Sequence, residues 1–325
     1  MPLVRPQILR RLDDHREVRT MLLPLSWYYP FRYGVVHLPR GSIRRNCCVL
    51  VLKLASRHLS AVRMTSEIRP LDDKSVRFAS VDSSIMETIF WFGLQGYEGK
   101  LVSIWASLCK RAKSVLEVGG NVGLYTVIGG RATCGHYTVV EPVPKLARIL
   151  RENLSRNSLV NVEVLEGAAV PQATNSPVSL NIPNEGRAAP VGAHLTSGVE
   201  VSARTSSAVI NVKALPFHEL AVGRDLMKID AEGIEYQLLM AISDVLVSQR
   251  PTLLIEVLPE ATLLGTLIRD LAKRARYTIF IIPAFGSDTI VRIAPEEFSS
   301  NILPAYNSKD VVLTTDAQLD IGRSA

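Results

Sequence analysis

The chain has 325 residues, 47% of them hydrophobic, which is ample for the packed interior of an α/β core with additions. Its four cysteines, Cys47, Cys48, Cys109 and Cys134, show no paired C-x-x-C spacing. Neither a zinc site nor a disulfide framework is therefore indicated, and a reducing compartment, the cytoplasm, is expected. The formal charge of +6 hides an asymmetry, because residues 1–80 hold 15 Lys and Arg against 6 Asp and Glu, which leaves 22 against 25 for the remainder.

The basicity thus belongs to an N-terminal extension, residues 1–80, ahead of a domain expected over 81–325. Two apolar runs in it begin at Met21 and Cys47, but Pro24 and Pro30 interrupt the first and Lys53 and Arg57 close the second. Neither reaches the roughly 18–20 uninterrupted residues needed to span a bilayer, and no small-residue cleavage site follows a signal core. Arginines interleaved with Trp27, Tyr28, Tyr29, Phe31 and Tyr33 fit an acidic surface such as anionic lipid or nucleic acid. The same residues read otherwise as a poorly ordered extension, or as sequence upstream of a later start at Met64 or Met86. Peripheral membrane contact is the partner expected of this segment, and no nucleic acid is expected.

From Asp82 the pattern becomes regular. Apolar residues at helical spacing over Ser84–Leu108 predict helices ahead of the first strand. Strand and helix signals then alternate: 114–118 strand, 122–132 helix, 137–141 strand, 144–156 helix, 161–166 strand. Such alternation predicts a mostly parallel central sheet with helices on both faces, a Rossmann-like fold, with ligands beyond the carboxyl ends of the strands. Residues 115–123, Val-Leu-Glu-Val-Gly-Gly-Asn-Val-Gly, form a strand end and a glycine turn. Gly119, Gly120 and Gly123 let a flat ligand approach the backbone, and the helix behind offers free N–H groups. The dinucleotide pattern G-x-G-x-x-G would need glycine at 121 and 124, where Asn121 and Leu124 stand. Glu141 ends the next strand about twenty residues on, where a carboxylate can accept both ribose hydroxyls. With Glu117 suited to an amino group, the set favours S-adenosylmethionine. The cofactor residues predicted are Glu117, Gly119, Asn121, Gly123 and Glu141.

Residues 171–207, rich in Pro, Ser, Thr, Asn and Gly, interrupt the rhythm and read as an insertion, a β-hairpin plus a mobile loop near the pocket rim. The alternation resumes at 209–212 and 226–230 (strands), 234–247 (helix), 252–257 (strand), 261–275 (helix) and 277–282 (strand). Runs at 289–293 and 311–313 are expected to complete the far sheet edge. The densest chemistry is Lys228-Ile-Asp230-Ala-Glu232-Gly233-Ile-Glu235. Asp230 ends an apolar strand, where an unpaired carboxylate is too costly, so it should face a cation, a metal or a substrate hydroxyl. Lys228, two residues earlier on the same strand face, is a candidate partner. Glu235 reads as complementing a helix dipole. Glu256 closes the next strand and should reach the same rim as Asp230.

The segment from about Ser84 to Val257 resembles the FkbM family of S-adenosylmethionine-dependent methyltransferases. The resemblance is carried by Gly96-Tyr97-Glu98, by Val115–Tyr125, and by Glu141-Pro-Val-Pro144 with Asn153 and Asn157. Lys228–Glu235 and Arg250-Pro251 leading into Ile255-Glu256-Val257 complete it. It implies a Rossmann-like methyltransferase domain and O-methylation of sugars or other hydroxylated natural products. Glu117 stands where family members usually show aspartate, and Pro216–Leu220 departs from a more usual Leu-Asp-x-Leu. Asp230 is expected as base or substrate anchor, with Glu232 and Glu256 orienting the acceptor hydroxyl. No dedicated metal ligands are assigned, with magnesium at Asp230 and Glu256 left open. Two other classes stay open: an NAD-dependent oxidoreductase, which the turn spacing disfavours, and a non-catalytic basic protein that binds membranes or nucleic acid.

Overall fold

The computed structural model describes residues 25–39, 42–56, 59, 65–70, 72–183, 189, 193–195, 207–258, 260–282, 290–306 and 309–319. Residues 1–24 of the predicted extension lie outside them. The chain divides into two compact units, Met1–His58 and Leu59–Ala325.

In the first unit, α1 (Leu25–His37) and α2 (Ile43–Ser56) form a helical hairpin. Close approach is possible because Gly34 has no side chain: a Cβ there would lie 2.6 Å from Cys48 Sγ. Arg45 Nε donates to the Val35 carbonyl at 2.9 Å across the pair. Among the described residues no helix is long and apolar enough to cross a membrane.

The second unit begins with a two-stranded antiparallel pair, β1 (Glu67–Ile68) and β2 (Phe78–Ala79). Three helices follow: α3 (Ser84–Phe92), α4 (Gln95–Glu98) and α5 (Leu101–Arg111). Ser83 caps α3, its hydroxyl accepting from Ile85 N–H at 3.2 Å. Parallel strands β3 (Ser114–Val118), β4 (His136–Glu141) and β5 (Val162–Glu166) alternate with α6 (Leu124–Ala132) and α7 (Pro144–Arg156). Helix α7 starts with Pro144, pre-set for a first turn, and buries Leu146, Ile149, Leu150 and Leu154 while its charged residues face water. The same helix holds the β2 segment, which by charge belonged with the extension. Ala79 N–H donates to Asn153 Oδ1 at 2.7 Å and Arg77 N–H to Asn157 Oδ1 at 3.0 Å.

The predicted insertion carries β7 (Val178–Pro183) and β8 (His194–Leu195), and β9 (Ser207–Val212), expected to resume the alternation, instead pairs antiparallel with β7 outside the main sheet, giving a three-stranded sheet ordered β8-β7-β9. It is flanked by the parallel pair β6 (Ala168–Val170) and β10 (Ala214–Pro216). The loop part of that expectation, at 184–188, 190–192 and 196–206, lies outside the described residues. After α8 (Phe217–Ala221) come β11 (Leu226–Ile229), α9 (Glu235–Ala241), α10 (Ser243–Gln249), β12 (Thr252–Glu256), α11 (Thr262–Ala275) and β13 (Thr278–Ile282). The single helix expected over 234–247 is two, because Ile242 leaves the helical region at φ −118°, ψ 18°. The apolar spacing runs on across that break, which is why periodicity joined them.

The main sheet has eight strands in the order β14-β13-β15-β12-β11-β3-β4-β5. Here the far edge differs from expectation. Strand β14 (Val291–Ile293) is the edge, but β15 (Asp310–Thr314) inserts antiparallel between β12 and β13. Val311, Val312 and Leu313 are all fully buried, as a strand covered on both faces must be. Thr289 lies outside the described residues. The chain builds outward from β3 to β4 and β5, then returns to lay β11 and β12 on the other side of β3. The order therefore reverses between β3 and β11, and a crevice opens beyond their carboxyl ends.

Candidate active site

A cavity of about 510 Å³ occupies that crevice, a size typical of small-ligand sites. One half is built by the β3–α6 turn. Gly119 adopts φ 89°, and a Cβ on it would lie 2.0 Å from the Asp230 carbonyl oxygen, so only glycine lets the β3 and β11 loops close on each other. Asn121 is left-handed at φ 49°, a conformation asparagine tolerates, with its Oδ1 accepting from Val122 N–H at 2.8 Å. Glu141 accepts from Asn121 N–H at 2.6 Å through one oxygen and from Val143 N–H at 2.9 Å through the other. Burial raises its carboxyl to about 8 even though these two backbone donors favour the charge. Each carboxylate oxygen keeps a second lone pair, and Glu141 lines the cavity with Gly119, Gly120 and Asn121. Val140, Pro142, Leu146, Ala168 and Ala169 supply apolar wall.

Two predicted cofactor residues sit elsewhere. Gly123 caps α6 at φ 85° and packs against Leu150 rather than lining the cavity. Glu117 is 1% exposed and lies behind the wall, its carboxylate accepting from the hydroxyls of Thr126 at 2.7 Å and Tyr137 at 2.6 Å. Desolvation pushes it up to about 7, against the pull of Lys228 and those two hydroxyls. Lys228 is its register partner on β11, so Glu117 reaches the site through that ammonium.

The other half of the cavity is a charge network. Lys228 Nζ pairs with Asp230 Oδ2 at 2.7 Å, the lysine side chain 4% and the aspartate 34% exposed. Burial works against this ammonium, but Asp230 and Glu117 together lift it above the usual lysine range. It also stands 4.7 Å from the Tyr125 ring centroid. Burial likewise opposes the Asp230 charge, and Lys228 overrides it, holding the carboxyl below its usual value. Glu256 lines the cavity with Asp230 and is raised by burial and by the Asp230 charge, in spite of its pairing with Lys309. Lys228 thus favours the ionised form of Asp230, while burial and the Asp230 charge favour the protonated form of Glu256. Glu232, left-handed at φ 52°, stands at the cavity rim and is raised by burial and by Asp230. Glu235 does more than complement a dipole: its carboxylate accepts from Ala231 N–H at 2.8 Å and from Gly233 N–H, bracing the loop that carries Asp230.

Asp230, Glu232, Glu256 and Glu141 therefore meet at one cavity, with Gly119 and Asn121. Not foreseen as site residues are Tyr97 and Glu98, which line it from α4, Tyr125, whose hydroxyl donates to Glu98, and Lys309. Tyr97, Glu98 and Tyr125 fall in stretches that carried the family resemblance, whereas Lys309 had no local signal. Among the described residues no group of three or more His, Cys, Asp or Glu side chains is arranged to hold a metal ion.

An open, mostly parallel sheet whose switch-point crevice is walled by a glycine turn and a carboxylate ending the second strand defines a Rossmann-like methyltransferase fold. Residues 117–278 match the family model of the FkbM methyltransferase domain. Through that domain the chain belongs to the FkbM family and is an S-adenosylmethionine-dependent methyltransferase.

No curated protein matches the chain. Among solved structures it is similar to methyltransferase FkbM from Methylobacillus flagellatus, at 14% identity and TM-score 0.39, over 83% of this chain and 59% of that one. It is also similar to the O-methyltransferase TomG of tomaymycin synthesis from Streptomyces achromogenes, in complex with SAM. There the identity is 12% and the TM-score 0.36, over 67% of this chain and 79% of that one. Likenesses at this level say nothing of the acceptor.

Proposed function

We propose that the protein methylates a hydroxyl group of a sugar, glycan or other hydroxylated natural product, at the Asp230 end of the cavity. The observation that carries this reading is the Asp230–Glu256 pair. Both carboxyl groups line the cavity, Asp230 ion-paired with Lys228 and favoured in its charged form, and Glu256 biased toward its protonated form by burial and by the Asp230 charge. A hydroxyl can donate to the first and accept from the second, which fixes its orientation.

The donor set of the other half fits S-adenosylmethionine. Glu141 has two lone pairs left for two ribose hydroxyls, the glycine turn admits the ligand to the backbone, and Leu146 with Ala168 and Ala169 offers apolar surface to a base. When bound, that cofactor supplies a methyl group on a positively charged sulfur, which leaves as a neutral thioether. The protein's own task is to align the acceptor oxygen and to take its proton. Asp230 accepts that proton from the hydroxyl oxygen as the oxygen–carbon bond forms. A carboxylate of low basicity suffices, because an alcohol oxygen that has gained a methyl group is a far stronger acid than the alcohol. Lys228 keeps Asp230 ionised beforehand, and Glu117 keeps Lys228 in place.

The test compares the parent with Asp230→Asn, using methyl-labelled S-adenosylmethionine and extracts of hydroxylated metabolites and glycans. The variant should bind S-adenosylhomocysteine as the parent does and lose more than about 100-fold in transfer. The labelled product should be a methyl ether, stable to mild alkali. Full activity in the variant would remove Asp230 from the chemistry, and an alkali-labile methyl ester or an N-methyl product would overturn the hydroxyl assignment.

A further inference from the structure

The first unit carries a surface that methyl transfer does not use. From Val18 to Ser66 the sequence holds eight Lys and Arg and no Asp or Glu. Within that span α2 has two apolar faces. Leu52 and Ala55 are buried, as expected of a packed helix, whereas Ile43, Leu50 and Leu54 are 82%, 60% and 51% exposed. With exposed Cys47 these three follow the spacing i, i+4, i+7, i+11, a continuous stripe along the solvent side. Arg44 and Lys53, both exposed, flank it on either side. Helix α1 adds Trp27, Tyr29 and Tyr33, each at least half exposed.

We propose that this hairpin docks the protein on an anionic lipid bilayer, with the α2 stripe entering the acyl boundary and the α1 aromatic residues in the headgroup layer. Three features favour this occupant. Aliphatic residues flanked by cations on one helix, with exposed aromatic rings on the other helix of the hairpin, match the interfacial zone of a membrane, where rings are apolar on one side and wet on the other. From Leu25 to Ser56 the hairpin sequence has no Asp or Glu to repel negative headgroups, the acidic residues of the unit being Asp13, Asp14 and Glu17 ahead of it. Helices of 13 and 14 residues are too short to span the bilayer and so lie along it. A nucleic acid would take the cations but has no use for the aliphatic stripe. A second copy packed stripe to stripe would bring Arg44 and Lys53 against cations of the same sign.

The chain contains its own reporter. Of its three tryptophans, Trp91 and Trp105 are 1% and 0% exposed, so an environment-dependent change in emission belongs to Trp27. The full chain is mixed with vesicles of phosphatidylcholine, alone or with about 30% phosphatidylglycerol. Blue-shifted emission, quenched by brominated acyl chains, should appear with the anionic vesicles and weaken in about 0.5 M salt. The double variant Leu50→Ser/Leu54→Ser, neutral, at exposed positions and therefore with an unchanged melting curve, should partition at least about tenfold less. Absence of binding to anionic vesicles overturns the proposal, as does equal partitioning of the double variant, which would reduce the contact to charge alone. A parent that ignores vesicles but dimerises through Leu50 and Leu54 assigns the stripe to a second copy, and one that binds only RNA assigns the cations to nucleic acid.

Discussion

Ligand affinity should be linked to the protonation of Glu141. Its carboxyl is 3% exposed and titrates at about 8 in the protein without ligand, while two ribose hydroxyls need the charged form as acceptor. The ionised fraction then rises from about one in a hundred at pH 6 to about one half at pH 8, so S-adenosylhomocysteine should bind about 50-fold more tightly at pH 8, or about 2.3 kcal/mol. The gain should level off above pH 8. Calorimetry at the two pH values measures it, and repetition at pH 7 in buffers of different ionisation enthalpy should show release of close to one proton, about 0.9 per ligand bound. Glu141→Gln removes the titration and should flatten the profile. That variant also leaves one of the Asn121 and Val143 N–H groups facing an amide N–H, which costs about 1–3 kcal/mol of stability. A parent affinity that is the same at pH 6 and pH 8, or a slope that survives in Glu141→Gln, would refute the assignment of Glu141 as the ribose acceptor.

Other perturbations probe the frame around the site. Glu117 titrates near 7 when folded against an ordinary 4.5, so the stability of its neutral form is fully present below pH 4.5 and is lost as pH rises through 7. Relative to the parent, Glu117→Gln should therefore remove about 3 kcal/mol of the decline between pH 4.5 and 8 in denaturant titrations. An identical decline in both proteins would contradict the burial argument. Asn153 receives Ala79 N–H at 2.7 Å and donates to the Val122 carbonyl at 2.7 Å, so Asn153→Ala leaves two buried backbone groups unpaired. Its expected cost in chemical unfolding is about 2–5 kcal/mol, and a loss under about 1 kcal/mol would mean that water or a shifted backbone replaces both bonds.

What was legible in the chain and what was not divide along the range of the forces involved. Pro144 at the start of α7 and the apolar stripe behind it act over a few residues, and the helix ran 144–156 as its spacing required. The glycine turn at 119–123 is equally local. That Glu141, Asp230 and Glu256 would meet followed from a topological rule, since strands in an open parallel sheet deliver their carboxyl ends to one rim. The face of each strand is another matter. Residues of β3 alternate sides, and both sides are buried, so nothing in Ser114–Val118 says whether Glu117 or Val118 turns toward the ligand. Packing put Val118 on the cavity and Glu117 behind it, against Thr126 and Tyr137.

The sequence by itself therefore determined the class: the alternation that makes the sheet, the turn that excludes a dinucleotide pattern, and the carboxylates at strand ends. Tertiary structure alone decided how those carboxylates are charged. Lys228, two residues from Asp230, favours the charge there, whereas Glu256 is raised by burial and by the Asp230 charge against the opposing pull of Lys309, which lies 53 residues away in the chain and arrives only when β15 inserts beside β12. Ionisation depends on burial and on charges within a few ångströms, and the neighbours across a sheet are set by strand order, which no local pattern of residues encodes.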